Sequence, residues 1–499
     1  MTAVLPLRAA PPVTLDGLLD RAAATVPAGA AVACGPRRLS WSELHARTGA
    51  LAAGLVTRGI EPGDAVALLA ADGPQFVLGL LAIARAGAVA VPLNPAFKRP
   101  ELEFCVREAG ARAVLTEDSG RGVDAARELQ APATIALADV LAAGGDAPSS
   151  PAPPDAPAAF TYSAGATGRP KRVPRTHRQL AAEAGAFAAA TALGPADRLF
   201  CTLPLHHAYG FGCCLLAALR SGATLVFAEE QGPLALDRDR VLALIERSEA
   251  TVFPAVPFAL RVLAEAPGAA DLSRLRLVFS AGTLLPRATF AAFTDAFGVP
   301  PRQLYGCTEA GVVTVNLDPD ARATAGSVGV PVAGVEVSVL GPSGEPVEPG
   351  RHGEIAIRSD AMTRGYAGVP DEVNHEAFPD GAFRTGDRGR LDEAGRLWIT
   401  GRRKRLIDVS GEKVDPVEVE DVLAVHPRVR EVVVVGAASG VQGEEVVKAV
   451  VVADGACGER ELVRFCRERL ADYKAPRSVE FRDAIPRGSA GEVLRKYLV

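Results

Sequence analysis

Small and hydroxyl-bearing residues crowd the segment FTYSAGATGRPKRVPRTH at residues 160–177. Ser163, Gly165, Thr167 and Gly168 carry little bulk, so backbone N–H groups there can converge on an anion, and Thr167 adds a hydroxyl donor. Lys171 contributes a positive charge on a flexible stem. The spacing is not that of a Walker loop, because GxxxxGK[ST] is absent. The segment indicates either a phosphate-binding loop or an ordinary flexible surface turn.

The elements that must position this loop alternate along the chain. Residues 39–60 predict a helix with Ser40 as its N-cap and Glu43 three residues later, the two ends of a capping box. A buried strand, a helix and a second buried strand are predicted at 64–70, 74–87 and 88–94. Helices alternating with continuous apolar strands are typical of layered α/β domains with parallel sheets.

Two further stretches mark the organisation of the chain. Residues 142–159 are rich in Pro, Ala and Gly and predict an irregular surface connection, after which the α/β pattern resumes. From about residue 404 the pattern becomes that of a compact α+β unit. The predicted fold class is therefore α/β, with a large N-terminal domain of layered sheets and a small C-terminal α+β domain.

Composition and charge exclude several classes of protein. The 499 residues carry a formal net charge of −5, which leaves no excess of cations to neutralise a nucleic acid. No apolar run is long enough to predict a membrane span, and the amino terminus lacks the pattern of a secretory signal. The eight cysteines form no CxxC pair, which favours free thiols in a reducing compartment. We expect a cytoplasmic protein.

Six motifs follow the order of a known family. After the 160–177 segment come YGCTEAG at 305–311, RTGD at 384–387, GRRK at 401–404, VDPVEVE at 414–420 and IPRGSAGE at 485–492. Together they resemble the adenylate-forming superfamily of acyl-CoA ligases, peptide-synthetase adenylation domains and luciferases. The resemblance implies a large AMP-binding domain, residues 1–403, and a small mobile lid domain, residues 404–499, with Lys404 at the hinge. It also implies ATP or AMP, Mg²⁺ and coenzyme A as ligands.

The resemblance implies a role in nucleotide binding for each matching residue. The loop is expected to hold the β- and γ-phosphates of ATP through Thr167 and its neighbours Ser163, Gly165, Gly168 and Lys171. Tyr305 resembles the ring that lies against adenine, and Thr308 the hydroxyl near the α-phosphate. Asp387 resembles the carboxylate that binds both ribose hydroxyls, and Arg402 the basic residue that contacts the nucleotide near the hinge.

Metal and coenzyme A positions follow in the same way. Glu309 is expected to ligate Mg²⁺, for which a hard carboxylate oxygen is well suited. Gly411, in VSGEKV at 409–414, resembles the glycine of a strand that lets the backbone approach the pantetheine arm. For Glu309 an ordinary interpretation stays open, that of a solvated acid at the start of a helix.

The segment LPLHHAYGFGCC at 203–214 is expected to line the acyl pocket. His207 stands where peptide-synthetase domains place an Asp that pairs with an amino group, so an ammonium would be buried here without a counter-ion. The resemblance is instead to aryl and fatty acyl ligases, where a His lies beside the substrate carboxylate. Apolar segments at 253–258 and 280–286 are expected to supply further walls, and the pocket residues are Tyr209, Val256, Ala281, Gly282 and Thr283. This composition suits a hydrophobic aryl or aliphatic acid.

The tail segment PRGSAGEVLRKYL at 486–498 departs from the family at one residue. Its PxxxxGK motif is intact except that Glu492 replaces the Lys that offsets negative charge during adenylation. Loss of one such donor commonly costs ~10²–10³ in rate. Ala164 and Ala166 also replace residues that usually carry hydroxyls. The sequence therefore predicts impaired adenylation with acyl-AMP binding retained, unless a neighbouring cation substitutes for the Lys: Arg487, Arg495 or Lys496.

Two other interpretations of the chain stay open. In the first, adenylation is complete and the acyl acceptor is a carrier-protein thiol or an amine. In the second, the chain is a catalytically inactive homologue that binds acyl-AMP or a partner enzyme as a scaffold. If the chain performs only thioester formation, an adenylating partner enzyme must supply its acyl-AMP.

Overall fold

The computed structural model describes most of the chain. It covers residues 14–499 apart from 96, 98, 128, 130–132, 143–151, 164–170, 230–233, 266–269, 403–406, 410–411, 415, 439–444, 471 and 489–490. Two compact units are present. The first comprises residues 1–325, 331–336 and 358–383, and the second comprises residues 326–330, 337–357 and 384–499. The predicted hinge, Lys404, lies outside the described residues, so the 403/404 boundary stays a prediction.

Most elements of the first unit precede residue 316. In chain order they are α1 Leu15–Thr25, β1 Ala30–Cys34, β2 Arg37–Ser40, α2 Trp41–Thr57, β3 Ala65–Leu69, α3 Pro74–Arg85, β4 Val89–Pro92, α4 Arg99–Glu108, β5 Ala113–Thr116, α5 Arg121–Arg127, β6 Thr134–Ala136, α6 Leu137–Ala142, β7 Pro157–Ser163, β8 Lys171–Thr176, α7 His177–Ala190, β9 Arg198–Cys201, α8 Ala208–Gly210, a π-helical segment Phe211–Leu216, α9 Ala217–Ser221, β10 Thr224–Phe227, α10 Leu234–Arg247, β11 Val252–Ala255, α11 Pro257–Ala264, β12 Leu277–Ser280, α12 Arg287–Phe297, β13 Arg302–Cys307 and β14 Gly311–Val315.

The remaining elements lie mainly in the second unit. They are β15 Val330–Pro331, β16 Val335–Leu340, β17 Gly353–Ser359, α13 Asp371–Ala377, β18 Phe383–Leu391, β19 Leu397–Arg402, β20 Ile407–Val409, β21 Glu412–Val414, α14 Pro416–Ala424, β22 Val429–Ala438, β23 Glu445–Ala453, α15 Glu459–Arg467 and β24 Ser478–Phe481. The helix α13 belongs to the first unit.

Two largely parallel sheets form the first unit, as the sequence predicts. Within the first unit, the strands β14-β13-β12-β11-β9-β10-β1-β2 are neighbours in this order in one sheet, and the other sheet has the order β6-β5-β3-β4-β7-β8. Strands β3, β4, β5, β10 and β11 are buried at every position, which explains why they read as continuous apolar runs rather than alternating ones. Because the strands run parallel, their carboxyl ends meet at one edge, where a ligand site is expected.

The first predicted helix is confirmed together with its cap. Helix α2 begins at Trp41, Ser40 accepts a hydrogen bond from the Glu43 N–H, and the Glu43 carboxylate accepts one from the Ser40 N–H at 2.8 Å. The buried face of α2 is mainly apolar, and Trp41 lies on it. The strands predicted at 64–70 and 88–94 and the helix at 74–87 are also present, as β3, β4 and α3.

The structure corrects the predictions for residues 142–159 and 409–414, parts of which lie outside the described residues. The connection predicted over 142–159 is shorter at its end, because β7 already begins at Pro157 and pairs with β8; residues 143–151 of it are outside the described residues. The strand predicted at 409–414 is instead part of an antiparallel pair, with β20 ending at Val409 and β21 beginning at Glu412. Gly411 falls between them, outside the described residues.

The second unit holds three small sheets. They have the orders β16-β17-β18-β19, β20-β21 and β22-β23-β24. Helices α14 and α15 contribute to the core that packs on the last of these sheets; Val419, Leu423, Leu462 and Cys466 are fully buried there. The predicted small α+β unit is thus present after residue 404. All eight cysteines are free thiols, and five of them are buried. Among the described residues, no helix combines the length and apolarity needed to cross a membrane.

Candidate active site

A tight turn between two neighbouring strands at one side of the larger sheet carries Thr308 and Glu309. Strand β13 leads into it and β14 leaves it antiparallel, with Cys307 opposite Gly311. Gly306 is required here, because a Cβ at that position would lie 2.4 Å from the Gly311 carbonyl oxygen. Glu309 is buried, with 7% of its surface exposed. A carboxylate therefore lies at the carboxyl end of a parallel strand, where α/β sheets commonly bind ligands.

The Glu309 carboxylate is held in place by Tyr366. The phenol O–H of Tyr366 donates to Glu309 Oε1 at 2.8 Å, and the Thr363 N–H donates to the Glu309 carbonyl oxygen at 2.8 Å. Burial, together with the negative charge of Glu309, raises the pKa of Tyr366, so the phenol keeps its proton and acts as the donor. The Lys171 ammonium lies 4.5 Å from the centre of the Tyr366 ring.

This cluster joins two predicted residues to one that the sequence analysis missed. Both Glu309 and Lys171 contact Tyr366. The two residues are 138 positions apart in the sequence. The available signal for Tyr366 was weak, since it stands in the short segment RGYAG with no other chemistry nearby. The contact depends on tertiary packing and not on local spacing.

The predicted phosphate loop is described only at its two ends. Strands β7 and β8 pair antiparallel, which places Ser163 opposite Lys171. Gly165, Thr167 and Gly168 lie between them at positions outside the described residues, and their roles stay predictions. The hairpin nevertheless delivers the start and the end of the segment to one place, as a loop that encloses an anion requires.

The expected acyl-pocket residues fall into one group around the Ala255 carbonyl. The phenol O–H of Tyr209 donates to this oxygen at 3.1 Å, and the Ala281 N–H donates to it at 3.3 Å. Val256 follows directly and is the N-cap of α11. Gly282 has φ +88 and lies next to Val256, since a Cβ on it would be 3.8 Å from the valine Cγ1. Tyr209 and Val256 are partly buried and pack against the apolar core of the first unit.

His207 is linked to this group through Tyr209. It is the N-cap of α8, its Nδ1 accepts from the Tyr209 N–H at 3.3 Å, and its side chain is exposed. Thr283 is also exposed, on the segment after β12. Burial raises the pKa of Tyr209, so that the phenol stays neutral, and burial lowers the pKa of the neighbouring His206 to about 4. The structure thus brings together Tyr209, Val256, Ala281 and Gly282, with His207 hydrogen-bonded to the Tyr209 N–H, whereas the role of Thr283 stays a prediction.

Asp72 anchors the histidine segment and was not identified from the sequence. Its Oδ1 accepts a hydrogen bond from the Leu205 N–H at 2.6 Å, two residues before His207. Burial raises the pKa of Asp72 to about 6, and the Leu205 hydrogen bond opposes that shift. An Asp in the turn ADGP gives no local sign that it reaches across 133 positions.

In the second unit, two predicted nucleotide residues are cross-strand partners. Strands β18 and β19 pair antiparallel with Asp387 directly opposite Arg402. Asp387 is buried, with 4% of its surface exposed, and its N–H donates to the Thr385 hydroxyl at 3.0 Å. For Arg402 only the backbone is described. Cross-strand neighbours can contact one ligand together, so this register is compatible with their predicted roles.

Glu492 lies in the closing turn of the chain. The Gly488 N–H donates to the Glu492 carbonyl oxygen at 2.8 Å, and Arg487 bridges to Val493 across the turn. The Glu492 side chain is exposed, and its carboxyl group folds over Gly488, where a Cβ would lie 2.0 Å from Oε1. Gly491 has φ +80, which glycine adopts without strain.

The arginines near Glu492 are engaged by other acids of the same unit. Arg487 donates to Glu431 Oε1 at 2.6 Å. Arg495 donates to Glu420 Oε1 at 2.7 Å and to a backbone carbonyl of β22. Burial raises the pKa of Glu420, and the charge of Arg495 opposes this, so the pair offsets an otherwise unfavourable buried carboxylate. Lys496 lies 5.0 Å from the centre of the Tyr497 ring.

The donor set limits how a metal ion could bind. Within the described part of the chain, no three His, Cys, Asp or Glu side chains come together as a metal site. Glu309 supplies a single buried carboxylate, one of whose oxygens is already bonded to Tyr366. A Mg²⁺ ion that takes one carboxylate, substrate phosphates and waters fits such a site, whereas an all-protein cage does not.

Comparison with known proteins is consistent with this geometry. The family model "AMP-binding enzyme" matches residues 19–367, and the model "AMP-binding enzyme C-terminal domain" matches residues 418–492. A feruloyl-CoA synthase from Amycolatopsis is 35% identical, over 95% of this chain and 96% of its own length. A long-chain-fatty-acid–CoA ligase from Mycobacterium tuberculosis is 33% identical, over 92% of each chain.

A solved structure shows the same architecture. The crystal structure of ATP-bound MatB from Rhodopseudomonas palustris has a TM-score of 0.88 and 30% identity, covering 97% of this chain and 98% of that one. The family models together match well over half of the chain. The chain therefore belongs to the AMP-binding enzyme family, as an AMP-dependent acyl-CoA synthetase of the adenylate-forming superfamily.

Proposed function

We propose that this synthetase transfers a hydrophobic acyl group from acyl-AMP to coenzyme A, and that its synthesis of acyl-AMP from ATP is impaired. The proposal assigns the turn with Thr308 and Glu309, the Asp387 strand and the Tyr209 pocket to acyl-AMP. It assigns the weak step to Glu492. The hinge at Lys404, between domains 1–403 and 404–499, is part of the same proposal.

One observation carries the proposal: two of the three cations that could substitute for the missing Lys, Arg487 and Arg495, are already paired with acids. Arg487 and Arg495 are bound to Glu431 and Glu420, and moving either guanidinium away would leave a partly buried carboxylate without its partner. Losing a hydrogen bond to a charged group costs about 1.5–3 kcal/mol, which disfavours such a move. A neighbouring arginine is therefore a poor substitute for the missing Lys.

The two half-reactions differ in what they ask of position 492. In adenylation a carboxylate oxygen bonds to the α-phosphorus and pyrophosphate leaves, so negative charge accumulates on the oxygens around phosphorus. An anion nearby opposes this step, since like charges 4 Å apart at an effective dielectric of about 20 repel by ~4 kcal/mol. Ala164 and Ala166, which cannot donate hydrogen bonds from their side chains, remove further support from the triphosphate.

The second half-reaction makes lighter demands. The thiol sulfur of coenzyme A bonds to the acyl carbonyl carbon, the bond from that carbon to the AMP oxygen breaks, the thiol proton is lost and AMP leaves as an anion. No pyrophosphate is present in this step. Thr308 is expected to donate to the AMP phosphate, Tyr305 to contact adenine and Asp387 to hold the ribose. Gly411 is expected to admit the pantetheine arm, and Mg²⁺, held through Glu309, would neutralise phosphate charge during adenylation.

The acyl group is proposed to be aryl or aliphatic and hydrophobic. The residues around the Ala255 carbonyl are mainly apolar, and the nearby residue linked to Tyr209 is His207 rather than a carboxylate. A substrate ammonium would lack a counter-ion there, which disfavours amino acids. The relatives named for ferulate and for long-chain fatty acids represent the aryl and aliphatic classes.

Two assays on the unaltered protein test the proposal. ATP–pyrophosphate exchange is measured with ferulate and with palmitate, and thioester formation is measured from synthetic feruloyl-AMP and palmitoyl-AMP with coenzyme A. We expect thioester from at least one adenylate, with exchange lower by about 10² or more. Exchange as fast as thioester formation would refute impaired adenylation. Exchange without thioester would indicate a carrier-protein thiol or an amine as acceptor, and silence in both assays would indicate a scaffold.

A further inference from the structure

A buried ion pair contacts the backbone of the Thr308–Glu309 turn. Arg175, at the end of β8, and Glu183, on α7, each expose only 3% of their side chains. The Arg175 Nη2 group donates to Glu183 Oε2 at 2.9 Å. The Arg175 Nε group is also buried and has no hydrogen-bond partner among the described residues. Two charges have thus been removed from water with incomplete compensation.

The same guanidinium reaches the turn itself. Arg175 Nη1 donates to the Thr308 carbonyl oxygen at 3.1 Å. That carbonyl belongs to the peptide plane whose other end is the Glu309 nitrogen, and peptide planes rotate as rigid units. Fixing the oxygen therefore fixes the orientation in which the chain enters Glu309. The ion pair holds the backbone from one side, while Tyr366 holds the Glu309 carboxylate from the other.

The Glu183 carboxylate also occupies space that two glycines leave open. A Cβ on Gly311, which ends the turn, would lie 2.3 Å from Glu183 Oε2. A Cβ on Gly212, in the π-helical segment that follows Tyr209, would lie 2.2 Å from Glu183 Oε1. The carboxylate thus contacts the nucleotide turn and the acyl-pocket segment at once. Short π-helical segments occur frequently at functional sites.

Stability alone gives no reason for this arrangement. Desolvation of a buried ion pair often exceeds the Coulombic gain, and an apolar pair of similar volume is commonly as stable or more so. Removing a single partner is costly, because it leaves an unpaired buried charge. A geometric role is the alternative explanation, since one planar guanidinium can orient two acceptors in fixed directions.

We propose that Arg175 and Glu183 are positioning residues that set the Thr308–Glu309 turn, and through Gly212 the start of the acyl pocket, in the geometry that binds acyl-AMP. This inference rests on the proposed function for the identity of the ligand. Neither side chain is proposed to touch the reacting atoms. Their effect passes through the Thr308 carbonyl and through the contacts of the Glu183 carboxylate.

The test replaces the pair with apolar side chains of similar size, Arg175→Met with Glu183→Leu. The control is Arg85→Met with Asp16→Leu, which removes a partly buried ion pair, 3.4 Å between charged atoms, that joins α1 to α3. Three quantities are measured on each protein: the thermal unfolding midpoint, the affinity for AMP by calorimetry, and kcat and KM for thioester formation from acyl-AMP.

We expect the thermal unfolding midpoint of the Arg175/Glu183 double variant to be no lower than that of the control. The double variant should bind AMP about tenfold more weakly and lose at least about tenfold in kcat. The loss in kcat is expected because a misplacement of about 1 Å can cost 10²-fold in rate. The KM for coenzyme A should stay unchanged. Unchanged AMP affinity and kcat in a folded double variant would overturn the proposal. Arg175→Lys keeps the charge but loses the planar fork, so it should fold and show the same losses; full AMP affinity in Arg175→Lys would also overturn it.

The design separates this inference from the proposed function. If the unaltered protein forms no thioester from either adenylate, the proposed function fails while AMP affinity still decides the positioning role. If the unaltered protein is active and the double variant is equally active, only the positioning role fails.

Discussion

Replacing Glu492 with Lys should increase the rate of adenylation. The side chain is exposed and sits in a turn fixed by backbone hydrogen bonds of Gly488, so a lysine can be accommodated without repacking. The change removes a repulsive charge and adds an attractive one. At 4 Å and an effective dielectric of about 20 each contact is worth ~4 kcal/mol, and solvent screening at an exposed position reduces this.

The expected gain follows from that magnitude. One positioned electrostatic donor is commonly worth ~10²–10³ in rate, so ATP–pyrophosphate exchange should rise by that factor in Glu492→Lys. Glu492→Gln removes the repulsion without adding a cation and should fall between the two. Glu468→Lys, on the exposed end of α15, makes the same change in net charge within the same unit and serves as the control. It should leave exchange unaltered.

Salt provides a second test of the electrostatic explanation. The Debye length falls from about 10 Å at 0.1 M to about 3 Å at 1 M ionic strength. Added salt should therefore reduce the difference in exchange rate between the unaltered protein and Glu492→Lys. Two results would refute the reasoning: equal exchange in Glu492→Lys and the unaltered protein, or an equal gain in Glu468→Lys. Either would mean that the charge at position 492 does not limit adenylation.

Three further predictions concern residues of the first unit. Tyr366→Phe removes the donor to Glu309 and should lower the free energy of unfolding by about 1.5–3 kcal/mol in urea titrations; an unchanged value would contradict that hydrogen bond. Burial raises the pKa of Asp72 to about 6, so the folded protein loses stability as the pH rises from about 4 to 6 and Asp72 ionises. Asp72→Asn should therefore raise the free energy of unfolding by up to about 3 kcal/mol at pH 7 and leave it unchanged at pH 4. An equal gain at both pH values would exclude this cause. Gly212→Ala must displace a buried carboxylate and should cost about 1–3 kcal/mol, whereas Gly49→Ala, which meets nothing within 4 Å in α2, should be neutral or stabilising by chemical denaturation.

Local patterns in the sequence predicted the elements well. The Ser40–Glu43 capping box fixes the start of α2, because its two hydrogen bonds involve residues three apart. The apolar runs at β3 and β4 predicted parallel strands, since burial on both faces removes any alternation. The strand predicted at 409–414 was wrong as a single strand, because β20 and β21 pair with each other there.

Contacts between distant residues could not be predicted in this way. Tyr366 bonds to Glu309 across 57 positions, and Arg175 reaches the Thr308 carbonyl across 133. Nothing in the local spacing marks either residue, because the geometry arises only when β8, β13 and the 358–383 segment pack in one unit. The hydrogen bond from Arg487 to Glu431 is also a contact between distant residues. Only the structure shows that this arginine already has an acidic partner, which argues against it as a substitute for the missing Lys.

The most direct measurement compares the two half-reactions of the unaltered protein under one set of conditions. Coenzyme A thioester is followed from ATP plus acid and, separately, from preformed acyl-AMP, at equal enzyme and coenzyme A concentrations. If adenylation is impaired, the rate from ATP should be about 10² or more below the rate from acyl-AMP. Equal rates by the two routes would contradict impaired adenylation.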